Sequence, residues 1–459
     1  MASKVDWSTL EGYKAIGLKN DNGTPVHHSD FTVTIEASCP TGFEVALLNE
    51  IKEKSPSSVT VKHQGRVFFD IPVSKIRNVL ELKCVDNAYV IIGKRSNFDF
   101  SGDVDSCLTR INELLDDKKY DSENLPLAWN KGIIAWNEVF QFEKAGEDNF
   151  GKCLSLLNQP VQKLNCSNDE VKKPKYQDVR ENTNSEINTI PRPKFRATCY
   201  RSGQECHPFQ SMDVARSFGG AINDKFGWGV SMKEFDIEVV ITIDLAQIYV
   251  GIGLTKKSLF QRNIKHFGPT TLRATICASM LQLANIQPGD IVVDPMCGGG
   301  SIPIEGAISF QKGFHIGGDN HEKAIYRATE NFKALSDSLT ESSGSEICNN
   351  LPADVIYWDV TRIPLRDNSV DVFITDLPFG KRSGSKTDNR VLYPKIMNSM
   401  ARVVKANTGK AVVLTQDKNS MFKGQGKFNK FWKINRQHYC NIGGLSALVF
   451  VMTRTQTKP

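Results

Sequence analysis

The chain has 459 residues, of which 40% are hydrophobic, so it is globular rather than disordered and long enough for two or three domains. Its 57 Lys and Arg residues and 51 Asp and Glu residues leave a net charge of +6, which permits nucleic acid as a ligand but equally fits an ordinary soluble protein. No apolar run approaches membrane-spanning length, and 11 cysteines without a CxxC pair behind a polar, leaderless N terminus predict reduced thiols in the cytosol or nucleus.

The first predicted unit, residues 31–120, has the element order of a ferredoxin-like domain. Residues 1–30 before it are polar and lack periodicity, so we expect a flexible tail. Its strands and helices are expected, in order, at 31–35, 44–51, 58–62, 66–71, 75–82, 88–92 and 105–115. Thr41 and Glu44 have the spacing of a capping box at the start of the first helix. The first six elements give the order β-α-β-β-α-β.

The second predicted unit, residues 121–255, is interrupted by a segment of different composition. Residues 143–193 are rich in Asn, Lys, Glu and Ser without sustained periodicity, so we expect a flexible insertion. Around the insertion, an aromatic-rich element, a strand, a helix and two further strands are expected at 132–142, 195–201, 213–223, 235–243 and 248–254. These elements predict an α+β unit.

Cationic residues cluster in the sequence of this second unit. They are Lys194, Arg196, Arg201, Arg216 and Lys225. A solvated basic face and a phosphate-binding surface both explain such a cluster, and composition alone favours the solvated face. Cys199, Cys206 and His207 also lie close together, but no fourth ligand has recognisable spacing, so incidental thiols are favoured over a zinc site.

A glycine turn follows a basic connector at 256–269 and a predicted helix at 271–283. Residues 291–293 predict a buried strand, and three consecutive glycines at 298–300 separate it from a helical pattern. Because glycine permits positive φ and has no Cβ, a ligand can lie against bare backbone at the start of that helix. Ser301 is expected to cap the helix.

The turn fits an adenosine-containing cofactor without requiring a pyrophosphate. The first two glycines of a dinucleotide fingerprint are present, but the third position is Pro303. Asp319 ends a second predicted strand at 315–319, where an acidic residue meets a ribose hydroxyl. Asp359 follows a further strand at 354–358, and a lone aspartate there can instead cap a turn.

An amine-handling motif follows a fourth apolar run. Asp376, Leu377, Pro378 and Phe379 stand at the carboxyl end of a strand predicted at 370–375, the edge where open α/β sheets bind ligands. Asp376 and the Leu377 carbonyl can accept both hydrogens of an exocyclic amino group while Phe379 stacks on its base. Acceptors that favour pyramidalisation of a delocalised amine lower the barrier to its methylation.

The remaining elements complete a sheet. An amphipathic segment at 393–404, a strand at 411–415 and a closing strand pair at 431–439 and 446–452 are expected. Such a terminal hairpin adds an antiparallel strand at the sheet edge, unlike the dehydrogenase version of the fold. Lys381 and Arg382 follow the amine-handling motif in a loop that either closes on substrate phosphate or forms an exposed turn.

The glycine turn, Asp319, Asp359 and the DLPFG box together resemble class I S-adenosylmethionine-dependent amino-methyltransferases. The target motif of that family is Asn or Asp, Pro, Pro and an aromatic residue, and this chain departs from it at Leu377, which lacks the rigidity of proline but keeps the carbonyl acceptor. The resemblance implies S-adenosylmethionine as cofactor and no metal. It implies a cofactor site made of Asp294, Pro295, Cys297, Gly298, Gly299, Gly300, Asp319, Asn320, Asp359, Val360, Phe267, Thr270 and Thr271.

The second unit resembles a THUMP domain, an RNA-binding module of enzymes that modify transfer RNA. The similarity is carried by FRATCYRSGQ, VARSFGGAIND, FDIEVVITI and VGIGLT, with a departure at QECHPF, where the family has a basic residue before the histidine. With a methyltransferase domain at 256–459, the chain resembles the THUMP-containing tRNA (guanine-N2)-methyltransferases. That family implies methylation of guanosine six in the acceptor stem and a small zinc-binding activator subunit as partner.

The sequence therefore predicts an α/β class I methyltransferase domain behind α+β ferredoxin-like and THUMP domains. The predicted function is formation of N2-methylguanosine in tRNA by a cytoplasmic enzyme, with the target base flipped out of the stem. Three alternatives remain open: a non-catalytic RNA-binding subunit, a nicotinamide dehydrogenase, and a methyltransferase that acts on adenine N6 or a protein glutamine.

Overall fold

Two β-sheets organise the protein. The computed structural model describes residues 5–14, 31–116, 127–140, 192–343, 351–379 and 386–459, so nearly all of the insertion expected at 143–193, together with Lys381 and Arg382, lies outside the described residues. An eight-stranded sheet forms the front half of the chain and a seven-stranded sheet the rear half. No helix within the described ranges is both long and apolar enough to cross a membrane.

The front sheet begins with the predicted ferredoxin-like arrangement. Its elements are β1 (Thr32–Ser38), α1 (Glu44–Lys54), β2 (Thr60–His63), β3 (Arg66–Pro72), a 3-10 helix (Val73–Glu81) and β4 (Asn87–Arg95), followed by α2 (Val104–Asn112). The strands pair antiparallel in the order β2-β3-β1-β4, which agrees with the expected fold. The second helix of that fold is here a 3-10 helix.

The predicted capping box at the start of α1 is wrong. Phe43 is the N-cap residue, and no side chain caps the helix. Glu44 instead accepts hydrogen bonds through Oε1 from the backbone N–H groups of Gly42 and Gly65, at 3.0 and 2.7 Å. The carboxylate therefore joins two loops, which a local sequence pattern does not reveal.

The second unit extends the same sheet. Its elements are α3 (Trp129–Phe140), β5 (Lys194–Ser202), α4 (Ser211–Phe226), β6 (Gly229–Val230), β7 (Ile237–Asp244) and β8 (Gln247–Gly253). β8 pairs antiparallel with β4, which gives the full order β2-β3-β1-β4-β8-β7-β5-β6. One apolar core runs under all of these elements. The predicted units at 31–120 and 121–255 thus share one sheet and one core.

The predicted tail is wrong for residues 5–14, which pack against the front sheet. Val5, Trp7, Leu10 and Tyr13 are buried in a cluster with Phe68, Ile91 and Tyr249. The Asp70 carboxylate accepts hydrogen bonds from the backbone N–H groups of Glu11 and Gly12 at 2.8 and 3.2 Å, which fixes the segment. Four irregularly spaced apolar residues bury a large area without any periodic signal.

The rear sheet has the strand order of a class I methyltransferase. Its strands are β9 (Ile291–Asp294), β10 (Phe314–Asp319), β11 (Ala353–Tyr357), β12 (Val372–Asp376), β13 (Lys410–Thr415), β14 (Trp432–Ile442) and β15 (Leu445–Arg454). The order is β11-β10-β9-β12-β13-β15-β14, parallel except for the β14–β15 hairpin, whose β15 pairs antiparallel with β13. This hairpin distinguishes the sheet from the all-parallel dinucleotide-binding fold of a dehydrogenase.

Helices cover both faces of the rear sheet. They are α5 (Ala274–Ala284), α6 (Ser301–Ser309), α7 (Glu322–Ser343), α8 (Lys386–Val403) and α9 (Lys418–Phe428). Neighbouring residues of one strand point to opposite faces, so Val292 packs in the core under α5 and Val293 in the core under α8. Burial on both faces explains why β9, β12 and β13 contain runs of consecutive apolar residues.

The two halves meet through both apolar and polar contacts. Phe43 of the front half is fully buried in the core that contains Ile276 and Met280 of α5. The Thr275 hydroxyl donates to Asp86 at 2.7 Å, and the backbone N–H of Asn441 donates to the Thr41 carbonyl at 3.0 Å. The front sheet is therefore anchored beside the rear sheet rather than tethered by the connector alone.

Candidate active site

The candidate site lies at the carboxyl edge of three adjacent strands. In the rear sheet β9 pairs with β10 on one side and β12 on the other, with Gly317 opposite Asp294 and Phe373 opposite Val293. The turns that follow β9, β10 and β12 therefore lie side by side at the edge where parallel strands end. The glycine turn, Asp319 and Asp376 come together there, as the sequence predicts.

The glycine turn presents open backbone. Gly298 and Gly300 have φ of +55° and +83°, values that disfavour other residues. A Cβ placed on Gly298 would meet no atom within 4 Å, whereas one on Gly300 would lie 3.2 Å from the Ala328 Cβ of α7. Gly298 thus faces an open cleft, and Gly300 lets α7 approach. The prediction that Ser301 caps α6 is wrong, because Gly300 is the N-cap residue and no side chain caps the helix.

Asp319 supports the turn from β10. Its Oδ2 accepts a hydrogen bond from the Gly298 N–H at 3.0 Å, and its Oδ1 accepts one from the His321 N–H at 2.9 Å. The Trp358 indole N–H donates to the Pro295 carbonyl at 3.1 Å, and its ring occupies the space that a side chain on Gly318 would need. The turn is thereby fixed from two neighbouring strands.

Three carboxyl groups, those of Asp294, Asp319 and Asp376, lie near one another beside the glycine turn. Asp294 is only 2% exposed, and burial followed by the nearby Asp376 charge raises its pKa well above the usual value. Burial also raises the pKa of Asp376 to about 6, with a further contribution from Asp319. At neutral pH Asp376 is therefore mostly ionised and remains basic enough to accept a proton.

Leu377 holds the amine-handling loop in place of the expected proline. Its N–H donates to the Leu414 carbonyl of β13 at 2.8 Å, and its side chain is 1% exposed within the core under α8. Proline has no N–H and cannot make this bond. The rigidity that the sequence motif lacks is thus supplied by an extra sheet hydrogen bond and a buried side chain.

Two residues of α8 fix the next carbonyl, and sequence analysis did not find them. The Tyr393 hydroxyl lies 2.6 Å from the Pro378 carbonyl and 2.9 Å from Thr415 Oγ1. Asn389 Nδ2 donates to the same carbonyl at 2.9 Å and to Asp417 at 3.1 Å. Both side chains are fully buried. Their spacing of four residues is the signal in the sequence that they share a helix face.

The other predicted cofactor residues lie around this cleft. Asp359 caps a short turn, since its Oδ1 accepts hydrogen bonds from Thr361 N–H and Oγ1, both at 2.8 Å, and these bonds lower its pKa. Asp359 therefore has the capping role that the sequence left open, and this role uses only its Oδ1. Val360 and Cys297 are buried, and Asn320 is exposed.

The connector contributes one exposed ring and one closed turn. Phe267 is 70% exposed, and Thr270 is also exposed. Thr271 Oγ1 accepts a hydrogen bond from the Gly268 N–H at 2.7 Å, which closes the turn between them. The Thr271 hydroxyl is therefore already engaged.

The predicted cation cluster does not form one surface. Arg196 pairs with Glu238 at 2.9 Å and stacks on Phe235, and Lys225 donates to the Leu115 carbonyl at 2.6 Å. Arg201 donates to the Phe209 carbonyl, and Arg216 is exposed on α4. Lys194 instead lines a cleft of about 560 Å³. This cleft is also lined by Arg192, Lys233, Glu234, Phe235, Asp236, Lys256 and Lys257.

The three possible zinc ligands differ in their burial and in their contacts. Cys199 is buried, Cys206 is exposed, and His207 Nε2 lies 2.9 Å from the Leu245 carbonyl. No group of three or more His, Cys, Asp and Glu side chains is arranged to hold a metal ion within the part of the chain that the structure describes.

Comparisons with known proteins relate the whole chain to RNA methyltransferases. Residues 262–444 match the family described as UPF0020, RMKL-like, methyltransferase domain. The chain is 37% identical to tRNA (guanine(6)-N(2))-methyltransferase THUMP3 of Bos taurus, over 98% of this chain and 94% of that protein. It is 24% identical to U6 snRNA (guanine-N(2))-methyltransferase THUMPD2 of Bos taurus, over 83% and 78% of the two chains.

A solved structure shows the same fold. TrmN from Thermus thermophilus matches with a TM-score of 0.63 and 19% sequence identity, covering 92% of this chain and 99% of that chain. At this identity the likeness supports the architecture, including the arrangement of front and rear sheets. The predicted class I fold is confirmed, and the dehydrogenase alternative is wrong.

Replacing Leu377 with proline should destabilise the rear domain, because it removes a buried hydrogen bond and leaves the Leu414 carbonyl unpaired. We expect a cost of about 2 kcal/mol and a fall in the rear domain's Tm of roughly 4 to 8 °C, measured by differential scanning calorimetry. Leu377→Ile keeps the N–H and the side-chain volume and is the control. Equal melting of the two variants would contradict the role assigned to the Leu377 N–H.

Proposed function

We propose a function from the premise that the chain belongs to the THUMP-containing tRNA methyltransferase family: it transfers a methyl group from S-adenosylmethionine to N2 of guanosine six in tRNA. The premise rests on 37% identity over nearly the full length of both chains. The observation that supports the chemistry is that β12, which ends at Asp376, pairs with β9, which leads into the open glycine turn.

The cleft fits S-adenosylmethionine. Gly298 faces open space with its N–H held by Asp319, so a ligand can approach the backbone there without meeting a side chain. Asp319 at the end of β10 and Asp359 just after β11 are the proposed acceptors for a ribose hydroxyl and the adenine amino group. The carboxylate of Asp376, which is mostly ionised at neutral pH, favours a cationic sulfonium. When bound, the cofactor supplies an electrophilic methyl group.

The protein's part in the reaction is to hold and activate an amine. The ionised Asp376 carboxylate and the Leu377 carbonyl accept hydrogen bonds from the two N–H groups of the guanine amine, and Phe379 stacks on the base. These acceptors favour a pyramidal nitrogen whose lone pair is no longer delocalised into the ring. As the nitrogen gains the methyl group it must lose a proton, and Asp376, with its pKa raised to about 6, can accept it.

We assign RNA binding to the front half and to its basic cleft. A guanine inside the acceptor stem is paired and stacked, so it must be flipped out to reach Asp376. Arg192, Lys194, Lys233, Lys256 and Lys257 place five cations around one cleft beside the Arg196–Phe235 stack. Neutralisation of backbone phosphates by such a cluster supplies affinity without sequence preference. Of the predicted cations, Lys194 and Arg196 belong to this region.

The family also implies a small zinc-binding activator subunit, and the edge strand β11, which pairs on one side only among the described residues, is a suitable surface for it. β11 ends the strand order, pairs with β10 on one side, and carries Tyr357, which is 59% exposed. A partner strand can pair with the backbone groups of such an edge. We therefore propose that the partner adds to β11. The cytosol, where tRNA is available, is the proposed location.

Another acceptor is the strongest alternative. A relative that is 24% identical is named for U6 snRNA rather than tRNA, so the same fold serves a different RNA. A non-catalytic RNA-binding subunit is disfavoured by the intact glycine turn and by Asp376. The identity of the methylated nucleoside separates these possibilities.

Asp376→Asn tests the catalytic assignment. We expect labelled tRNA from the wild-type reaction to yield N2-methylguanosine by nucleoside mass spectrometry, and the variant to lose about 10² to 10³ in kcat, as for removal of a preorganised electrostatic group. Asp367→Asn, which alters an exposed ion pair with Arg402, is the control and should retain activity. Undiminished methylation by Asp376→Asn would contradict the catalytic role of Asp376. Detection of N6-methyladenosine would show that the methyl acceptor is adenine rather than guanine.

The same residue predicts a pH dependence. Because the raised pKa of Asp376 is about 6, the accepting carboxylate is present above that pH and is lost as the pH falls through it. The wild-type kcat/KM for tRNA should therefore decline below about pH 6, and the residual rate of Asp376→Asn should not.

The basic cleft is tested by charge reversal at two lysines. Lys233→Glu with Lys257→Glu should weaken tRNA binding and lower the slope of log Kd against log salt by about 2, because two phosphate contacts are lost. S-adenosylhomocysteine affinity should stay unchanged. Lys312→Glu, an exposed lysine before β10, is the control. An unchanged salt slope in the double variant would exclude the cleft as the backbone site.

The partner proposal predicts that the chain purified alone turns over slowly and that co-expression with the activator subunit raises its rate. Tyr357→Asp should weaken capture of that subunit, because it places a charge at the pairing edge. Tyr439→Asp, on the opposite edge strand β14 and similarly exposed, is the control. Full activity without any partner would show that the activator subunit is not required. Equal capture of the subunit by both variants would show that it does not bind at β11.

A further inference from the structure

A buried asparagine of α7 connects two parts of the cofactor cleft. Asn331 is fully buried, and all of its amide hydrogen-bonding groups are used. Its Oδ1 accepts from the backbone N–H groups of Lys265 and His266 at 3.0 and 2.7 Å. Its Nδ2 donates to the carbonyls of His266 and Gly299, both at 3.0 Å. One side chain thus bonds the connector and the glycine turn at the same time.

The surrounding contacts show that α7 is the surface on which both parts lie. Ala328, one turn before Asn331, packs on Gly300, and a Cβ on Gly268 would come within 3.3 Å of the Arg327 side chain. A Cβ on Gly299 would lie 3.7 Å from both Asn331 Nδ2 and the His266 carbonyl. The connector therefore passes directly beside the glycine turn at His266, next to the exposed ring of Phe267.

A separate set of hydrogen bonds fixes the connector at Arg262 and Asn263. Glu305 of α6, which is 1% exposed, accepts hydrogen bonds from Arg262 and Asn263 at 2.7 and 2.8 Å. Arg262 also donates to the Lys83 carbonyl of the front half at 2.7 Å. Loss of the Asn331 contacts would thus free the connector at the glycine turn while its attachment to the front half persists.

We propose that Asn331 is a positioning residue for the cofactor, which sets the distance between the glycine turn and the Phe267 segment so that the two form one cleft. The proposal rests on the function proposed above for this cleft. Asn331 touches neither the methyl donor nor the base in this role; it acts through Gly299 and His266. Asn331 donates two hydrogen bonds through Nδ2 and accepts two through Oδ1. A planar side chain that does both is an amide, so neither aspartate nor alanine can replace it.

The test compares S-adenosylhomocysteine binding, tRNA binding and thermal stability in the full chain. Asn331→Ala and Asn331→Asp should raise the Kd for S-adenosylhomocysteine by roughly tenfold to a hundredfold, because carbonyls of the turn and connector lose their donors. The Asp variant retains an acceptor for the two N–H groups but turns a carboxylate oxygen toward the two carbonyls. The tRNA Kd, set by the front half, should remain within about twofold.

Asn223→Ala is the matched control, since it removes an amide-to-carbonyl hydrogen bond of 2.7 Å to Trp228 within the front half. It should lower Tm and leave S-adenosylhomocysteine binding unchanged. If Asn331→Ala does not fold, Asn331→Asp, which keeps the side-chain volume, decides. Binding of S-adenosylhomocysteine within twofold of wild type in a folded Asn331 variant would overturn the proposal, as would an equal loss of ligand and tRNA binding. Absence of binding by the wild-type chain, both alone and together with the activator subunit, would instead refute the cofactor assignment itself.

Discussion

The hydrogen bonds to the Pro378 carbonyl are the contacts on which the geometry of the candidate active site depends. Tyr393 and Asn389 hold it from the core under α8, and the Leu377 N–H extends the sheet ladder to β13 just before it. These bonds fix the backbone between Asp376 and Phe379. In the proposed reaction this fixed backbone positions Asp376 and the Leu377 carbonyl for the amine, which is the preorganisation that methyl transfer requires.

The second constraint is electrostatic. Burial raises the pKa of both Asp294 and Asp376, the charge of Asp376 adds to the effect at Asp294, and the charge of Asp319 adds to it at Asp376, so the ionised forms disfavour the folded state. A cationic ligand relieves that repulsion, so the pocket is most stable with its cofactor bound. The same feature leaves Asp376 basic enough to accept a proton at neutral pH. Burial of these carboxyl groups thus both destabilises the site without ligand and makes Asp376 basic enough for the proposed proton transfer.

Much of the site follows from the sequence because apolar runs locate parallel strands, and residues at strand ends meet at one edge. Asp319 and Asp376 were predictable in this way. Tyr393 and Asn331 were not, since their roles depend on how helices pack across the sheet, and neither residue belongs to a strand-end motif. The packed segment at 5–14 escaped prediction because four apolar residues without a period resemble a tail. Which cations share a surface also depends on tertiary structure, as the cleft around Lys194 shows.

The most direct test of the account is a crystal structure of the full chain with S-adenosylhomocysteine and guanosine monophosphate. We predict that the guanine amino group lies within hydrogen-bonding distance of the Asp376 carboxylate and the Leu377 carbonyl, with the base on Phe379 and the thioether approaching from the side of Gly298. A complex in which Asp376 and Phe379 face away from the bound nucleoside, or in which the cofactor avoids the glycine turn, would contradict the account.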